Sequence, residues 1–179
     1  IKVGENMSKN IVLIGMPGCG KSTIGYILSK QLNMGFIDID KYIELNEKKG
    51  IKEMFTIGEN YFRDIETKYS SILGKSNSYI IATGGGIIKR HENIKYLKEN
   101  SIIVFINRPI ENIINDIDTD IRPLLSSGKE KLYQLYSERI DLYKKYSDIE
   151  IYNNGKISEA VDMITEKIKG CDTIENNGN

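Results

Sequence analysis

The chain has no net charge, because its 25 basic side chains match its 25 acidic ones. That balance argues against a nucleic-acid or membrane-surface partner, since either calls for a basic excess. A local basic pocket for phosphate still fits within a neutral total. Cysteine is scarce: Cys19 and Cys171 make neither a disulfide framework nor a metal cluster. His91 is the only histidine, and its neighbours from Lys89 to Asn93 are polar, which reads as solvated surface rather than catalysis. No apolar run is long enough to cross a bilayer and no signal peptide is visible, so the cytoplasm is the expected compartment. Residues 1–9 lack periodicity. They are set aside as an extension, either a tag remnant or the end of a preceding domain, with Met7 as a natural start.

What remains has the makeup of an ordinary globular protein, 40% hydrophobic and 28% charged, and one composition regime throughout. One domain over 10–169 with a polar tail at 170–179 is expected. Its centre is the stretch Ile11 to Leu32. Gly15, Gly20, Lys21 and Ser22 fit the spacing G-x-x-x-x-G-K-[ST], the P-loop. Ile11 to Ile14 reads as a strand buried on both faces, and Ile24, Ile27, Leu28 and Leu32 recur at helical spacing. An isolated glycine turn is the bland alternative, and a strand before it with a helix after it argues against that. In such a loop the backbone from Gly15 through Gly18, Cys19 and Gly20 cradles phosphates at a helix N-terminus. Lys21 would reach the β- and γ-phosphates, Ser22 would ligate Mg²⁺ and Thr23 would sit near the α-phosphate. Cys19 is expected to be a small filler in this loop, open to oxidation.

A second landmark is Phe36-Ile37-Asp38-Ile39-Asp40, a short strand with two carboxylates at its C-terminal end. Alternation would put Asp38 and Asp40 on one side, where they repel unless a cation or hydrogen-bond donors intervene. A Mg²⁺ shell and a polyhydroxylated substrate would both serve. A helix cap is the alternative and accounts for one of the two. Arg63 and Glu66 share a helical face, either as a surface ion pair or as an arginine braced to grip an anionic substrate. The strand Tyr79 to Thr83 runs into Gly84, Gly85 and Gly86, expected to let a ligand approach a nest of N–H donors. Strands at Ile102 to Ile106 and Ile149 to Tyr152 alternate with helices, which predicts an α/β domain with a parallel sheet. The segment Asp116 to Lys129, polar at its ends and centred on Arg122-Pro123, suggests a lid carrying one cation. Arg139 lies on the amphipathic helix after it.

Taken in order, GMPGCGKST, FIDID, GENYFRDIE, TGGG, RPLL and SERIDLY resemble the shikimate kinase family, from the phosphate loop to about Tyr146. The resemblance implies the nucleoside monophosphate kinase fold. That fold has a five-stranded parallel core flanked by helices, a substrate-binding region at about 40–68 and a lid at about 116–129. It also implies transfer of the γ-phosphoryl group of ATP to the 3-hydroxyl of shikimate, with Mg²⁺. By the same resemblance, Asp38 contacts the Mg²⁺ shell through water and accepts the hydroxyl proton. Asp40 binds the substrate hydroxyls, Arg63 and Arg139 hold the substrate carboxylate, and Gly84, Gly85 and Gly86 approach the ring. Lys21, Asp38 and Arg122 are then the catalytic group, with Arg122 reaching the phosphates from the lid. Two positions depart from the family: Asn115 stands near a common adenine-side arginine, and Ala82 stands where a serine near the metal is frequent. The rival readings are a gluconate kinase-like enzyme, a nucleoside monophosphate kinase, or a nucleotide-binding module without catalysis. Paired aspartates favour hydroxyls over a second phosphate, and the presence of Lys21, Asp38 and Arg122 favours catalysis. A monomer is expected.

Overall fold

Strands and helices alternate along the chain. β1 (Asn10–Ile14) leads into α1 (Lys21–Leu32). β2 (Gly35–Asp38) is followed by α2 (Ile39–Glu47), α3 (Ile51–Ile57) and α4 (Glu59–Leu73). β3 (Tyr79–Ala82) is followed by a 3₁₀ turn (Ile87–Lys89) and α5 (His91–Lys98). β4 (Ser101–Asn107) precedes α6 (Ile110–Asp116) and α7 (Lys129–Tyr146), and β5 (Ile149–Tyr152) precedes α8 (Ile157–Asn176). The structure, a computed structural model, describes residues 9–116 and 129–176.

The five strands form one sheet in the order β2-β3-β1-β4-β5, and every neighbouring pair is parallel. β1 is central, and Ile11, Val12, Leu13 and Ile14 are each 0% exposed, as a strand covered by helices on both faces requires. α1 and α8 pack on each other, with Gln31 donating to Thr165 across them, while α5 and α7 pack against β4. The expected five-stranded parallel α/β fold is therefore present. Because all strands run the same way, the P-loop, Asp38, the triple glycine, Asn107 and Asn153 all emerge at one edge, the carboxyl end of the sheet, where open α/β sheets bind ligands.

The structure corrects the sequence reading in two places. β2 ends at Asp38, and Ile39 already begins α2. Asp38 is extended (φ −97°, ψ 114°), and its side chain accepts a hydrogen bond from the Lys41 amide, so it is the N-cap. Asp38 and Asp40 are thus related by a helix start rather than by strand alternation. The cap is Asp38, and Asp40 lies in the first turn. The closing helix continues to Asn176, so residues 170–176 are helical rather than a polar tail. Gly170 does not stop it, because an interior glycine weakens a helix by only about 1 kcal/mol.

Candidate active site

The P-loop forms where β1 ends. Gly18 and Gly20 adopt φ of 81° and 100°, a left-handed region that side chains disfavour. Gly15 starts the turn, and Gly20 is the N-cap of α1. Lys21 is only 7% exposed, and its Nζ donates to the carbonyls of Gly15 and Met16, each at 2.8 Å. The ammonium therefore rests on neutral acceptors inside its own loop, where incoming phosphate oxygens can replace them. Ser22 and Thr23 are exposed in the first turn of α1. Cys19 is fully buried, which suits a filler and shields the thiol from oxidants. Its carbonyl accepts from Asn153 Nδ2 at 3.0 Å.

Two features join the P-loop to the carboxylate pair. Ser22 Oγ donates to Asp38 Oδ2 at 2.7 Å, so the two residues expected at a metal come together. Asp40 Oδ1 is buried and has no hydrogen-bond partner. Burial is the main reason its carboxyl is pushed above the ordinary value, the Asp38 charge adds to this, and Lys21 and Arg63 oppose it. A buried acceptor left unpaired costs free energy, so its site is ready for a donor. A Cβ added to Gly84 would lie 2.8 Å from that oxygen, so a side chain there would push against the Asp40 carboxylate.

Arg63 on α4 is braced rather than solvated, at 8% exposure. Its Nη1 donates to Glu66 Oε2 at 2.7 Å, and its Nε and Nη2 reach Glu59 Oε1 at 3.3 Å. Glu66 is 1% exposed; burial raises its pKa, and the Arg63 charge is the largest influence opposing that. Asn93 Nδ2 lies 3.5 Å from Glu66 Oε2 and donates to the Ile87 carbonyl at 3.1 Å, tying the group to the turn after the glycines. Lys89 also pairs with Glu59, and that hydrogen bond is the first cause of the lowered Glu59 pKa. A surface ion pair is therefore not what Arg63 and Glu66 make. A Cβ on Gly86 would overlap the Arg63 guanidinium.

None of Gly84, Gly85 and Gly86 has positive φ, so close approach rather than backbone freedom explains them. The carbonyls of all three accept hydrogen bonds. Gly84 O and Gly86 O accept from the amides of Ile87 and Lys89 as the chain enters the 3₁₀ turn. Gly85 O accepts from Arg139 Nη1 at 3.1 Å and from Tyr143 Oη at 2.6 Å. Arg139, on α7, thus reaches the same turn that packs against Asp40 and Arg63. Arg122 and residues 117–128 of the expected lid lie outside the described residues. His91 is exposed, its ring 5.6 Å from that of Tyr146, in keeping with a surface position.

Glu59, Asn93, Tyr143 and Asn153 reach the site without having been singled out in the sequence, although Glu59 and Tyr143 lie within GENYFRDIE and SERIDLY. Glu59 and Tyr143 each stand one helical turn from an expected arginine, at i−4 of Arg63 and i+4 of Arg139, a spacing that could have found them. Asn93 and Asn153 reach the site from other elements and carry no such signal.

Mg²⁺ usually keeps several waters and takes phosphate oxygens, so one or two protein oxygens suffice. Ser22 and Asp38 match that hard-oxygen donor set. Among the described residues, no three His, Cys, Asp or Glu side chains form a larger metal cluster, and no helix is long and apolar enough to cross a membrane.

Comparison with known proteins gives a consistent result. The shikimate kinase family model matches residues 17–169. A shikimate kinase of Clostridium beijerinckii is 48% identical over 171 residues, covering 96% of this chain and 100% of the relative. The structure of a shikimate kinase from Acinetobacter baumannii in complex with shikimate superposes with a TM-score of 0.82 at 32% identity, covering 97% of this chain and 96% of that one. A gluconokinase from Sinorhizobium meliloti has a TM-score of 0.63 at 12% identity, covering 98% of this chain and 100% of that one. That likeness extends to the fold alone.

Proposed function

This chain belongs to the shikimate kinase family, and on that footing we propose which of its residues carry the transfer of the γ-phosphoryl group of ATP to the 3-hydroxyl of shikimate. The chain is an ATP-dependent phosphotransferase. One observation supports the substrate assignment above the others. The unpartnered buried oxygen of Asp40 sits against Gly84, on a glycine turn that also meets Arg63 and Arg139. A hydroxylated carboxylate offers what this arrangement lacks: hydroxyl donors for Asp40 and an anion for the two guanidiniums.

Phosphoryl transfer depends on positioning and charge stabilisation more than on covalent chemistry. The P-loop backbone from Gly15 to Gly20 and the start of α1 hold the ATP phosphates, with Thr23 beside the α-phosphate. Lys21 leaves the Gly15 and Met16 carbonyls for the β- and γ-phosphates. Ser22 and, through water, Asp38 would hold Mg²⁺, which would neutralise phosphate charge. Asp38 also takes the proton of the attacking hydroxyl, although a loose transition state needs little help from a base. Asp40 fixes the substrate hydroxyls, and Arg63 and Arg139 clamp the carboxylate. Arg122 supplies a further cation to the transferred group. The active unit is a monomer.

Arg139→Ala tests the clamp. The shikimate KM is expected to rise about tenfold or more, with the ATP KM within about twofold of the parent, as for loss of a charged hydrogen-bond partner. An unchanged shikimate KM, or an equal rise for ATP, would refute the assignment.

A further inference from the structure

Tyr143 is fully buried, yet its hydroxyl is committed to a single backbone atom of the site. Its ring lies 5.2 Å from that of Phe105 with an interplanar angle of 18°, and Phe105 is on β4 in register with Ile14 of β1. The phenol is thus held on the strand next to the one that opens the P-loop. From there Tyr143 Oη donates to Gly85 O at 2.6 Å. Arg139, one turn earlier on the same helix, donates to the same carbonyl at 3.1 Å. Gly85 also touches the P-loop, since a Cβ there would lie 2.7 Å from Pro17 Cδ. One carbonyl therefore links the helix bearing Arg139, the glycine turn and the phosphate loop.

A carbonyl oxygen has two lone pairs, and here both are used. If Arg139 is to grip a substrate carboxylate, it gives up some or all of its hold on Gly85. Stranding a half-buried carbonyl would offset part of the binding. We propose that Tyr143 is a positioning residue for the substrate carboxylate. Its hydroxyl keeps the Gly85 carbonyl satisfied when Arg139 turns to the substrate, and so it sets how readily that arginine is released. This rests on the reading of Arg139 as part of the clamp. Burial holds the phenol pKa well above its ordinary value, so the hydroxyl stays a donor at every working pH. The ring by itself does nothing here that phenylalanine could not do.

A double-mutant cycle over Tyr143→Phe and Arg139→Ala decides the matter, with thermal melting to verify that each variant is folded. Tyr143→Phe keeps the ring on Phe105 and removes only the donor. Its shikimate KM is expected to rise about five- to tenfold, the range of one lost hydrogen bond to a half-buried acceptor. The ATP KM should hold, and kcat should change by less than the shikimate KM does. In the Arg139→Ala background the same substitution is expected to add less than about twofold, because its effect passes through that arginine. An unchanged shikimate KM in Tyr143→Phe would overturn the proposal, as would the full five- to tenfold effect persisting without Arg139. The clamp reading fails separately, and takes the proposal with it, if Arg139→Ala alone leaves the shikimate KM unchanged. If Arg139→Ala raises that KM and Tyr143→Phe does not, the role of Tyr143 alone is overturned.

Discussion

Replacing Arg63 with alanine separates what its guanidinium does for the fold from what it does for the substrate. In the folded protein Arg63 is 8% exposed and Glu66 is 1% exposed, 2.7 Å apart. Without the arginine, Glu66 keeps only Asn93 Nδ2, at 3.5 Å. Breaking a buried pair from one side destabilises by about 3–5 kcal/mol. In a chain of this size that lowers Tm by roughly 6–20 °C. Glu66 can limit the loss by taking up a proton. Its folded pKa is already raised by burial, with Arg63 the largest influence opposing that rise, so in the variant the pKa climbs further. A carboxyl whose folded pKa exceeds its unfolded one contributes fully below the unfolded pKa, and that contribution is lost as pH rises through the folded pKa. The Tm deficit should therefore be large near pH 8 and shrink towards about pH 5. Adding Glu66→Gln should restore most of the Tm by removing the stranded charge. It should not restore catalysis. A charged contact to the substrate carboxylate is worth about 2–5 kcal/mol, so kcat/KM for shikimate should fall by about 30-fold to several thousandfold in both variants. Melts across pH and steady-state kinetics read the two effects independently. A Tm deficit that does not vary with pH would refute the buried-charge reasoning. A double variant that regains its shikimate KM would refute the clamp.

Lys21→Met should lower turnover by about 10³-fold or more while melting close to the parent, since Lys21 Nζ contacts atoms of its own loop, the Gly15 and Met16 carbonyls and Cys19 Sγ. Near-normal turnover would rule out its phosphate role. Asp40→Asn should reduce kcat/KM for shikimate yet raise Tm at neutral pH, because burial and the Asp38 charge both disfavour the ionised group. The gain should vanish below about pH 4, where the unfolded chain also binds the proton; a gain independent of pH would contradict this. Gly84→Ala places a Cβ 2.8 Å from Asp40 Oδ1 and should raise the shikimate KM well before it affects the ATP KM. Equal effects on both would point to general disruption of the cleft.

The P-loop was legible because its chemistry is local. Glycine positions, a lysine and a hydroxyl at fixed spacing, between a strand and a helix, specify the geometry without reference to the rest of the chain. Arg63 with Glu66 was legible for the same reason, as an i,i+3 pair, but its burial was not, because burial depends on Asn93 from α5 and on the Gly86 backbone. The two carboxylates at the end of β2 are legible in the sequence, but how they are related is not. Strand alternation would put residues i and i+2 on one side, whereas the bond from the Lys41 amide, three residues on, makes Asp38 a helix cap with Asp40 in the first turn. Three adjacent glycines signalled close approach. That the approach is made by Asp40, Pro17 and Arg63 from three different elements is tertiary information. The second donor to Gly85, Tyr143, was hidden among the apolar positions of an amphipathic helix, where an aromatic reads as core.

The central claim is that this cleft moves a phosphoryl group from ATP to shikimate. ADP release from ATP and Mg²⁺, measured with shikimate and, in parallel, with gluconate, AMP or no acceptor, tests it most directly. Release that depends on shikimate, with little release in the other three conditions, is the predicted result. Release with gluconate or AMP but not shikimate would leave the fold standing and overturn the assignment of Asp40, Arg63 and Arg139. Tight ATP binding with no release for any acceptor would contradict the claim altogether.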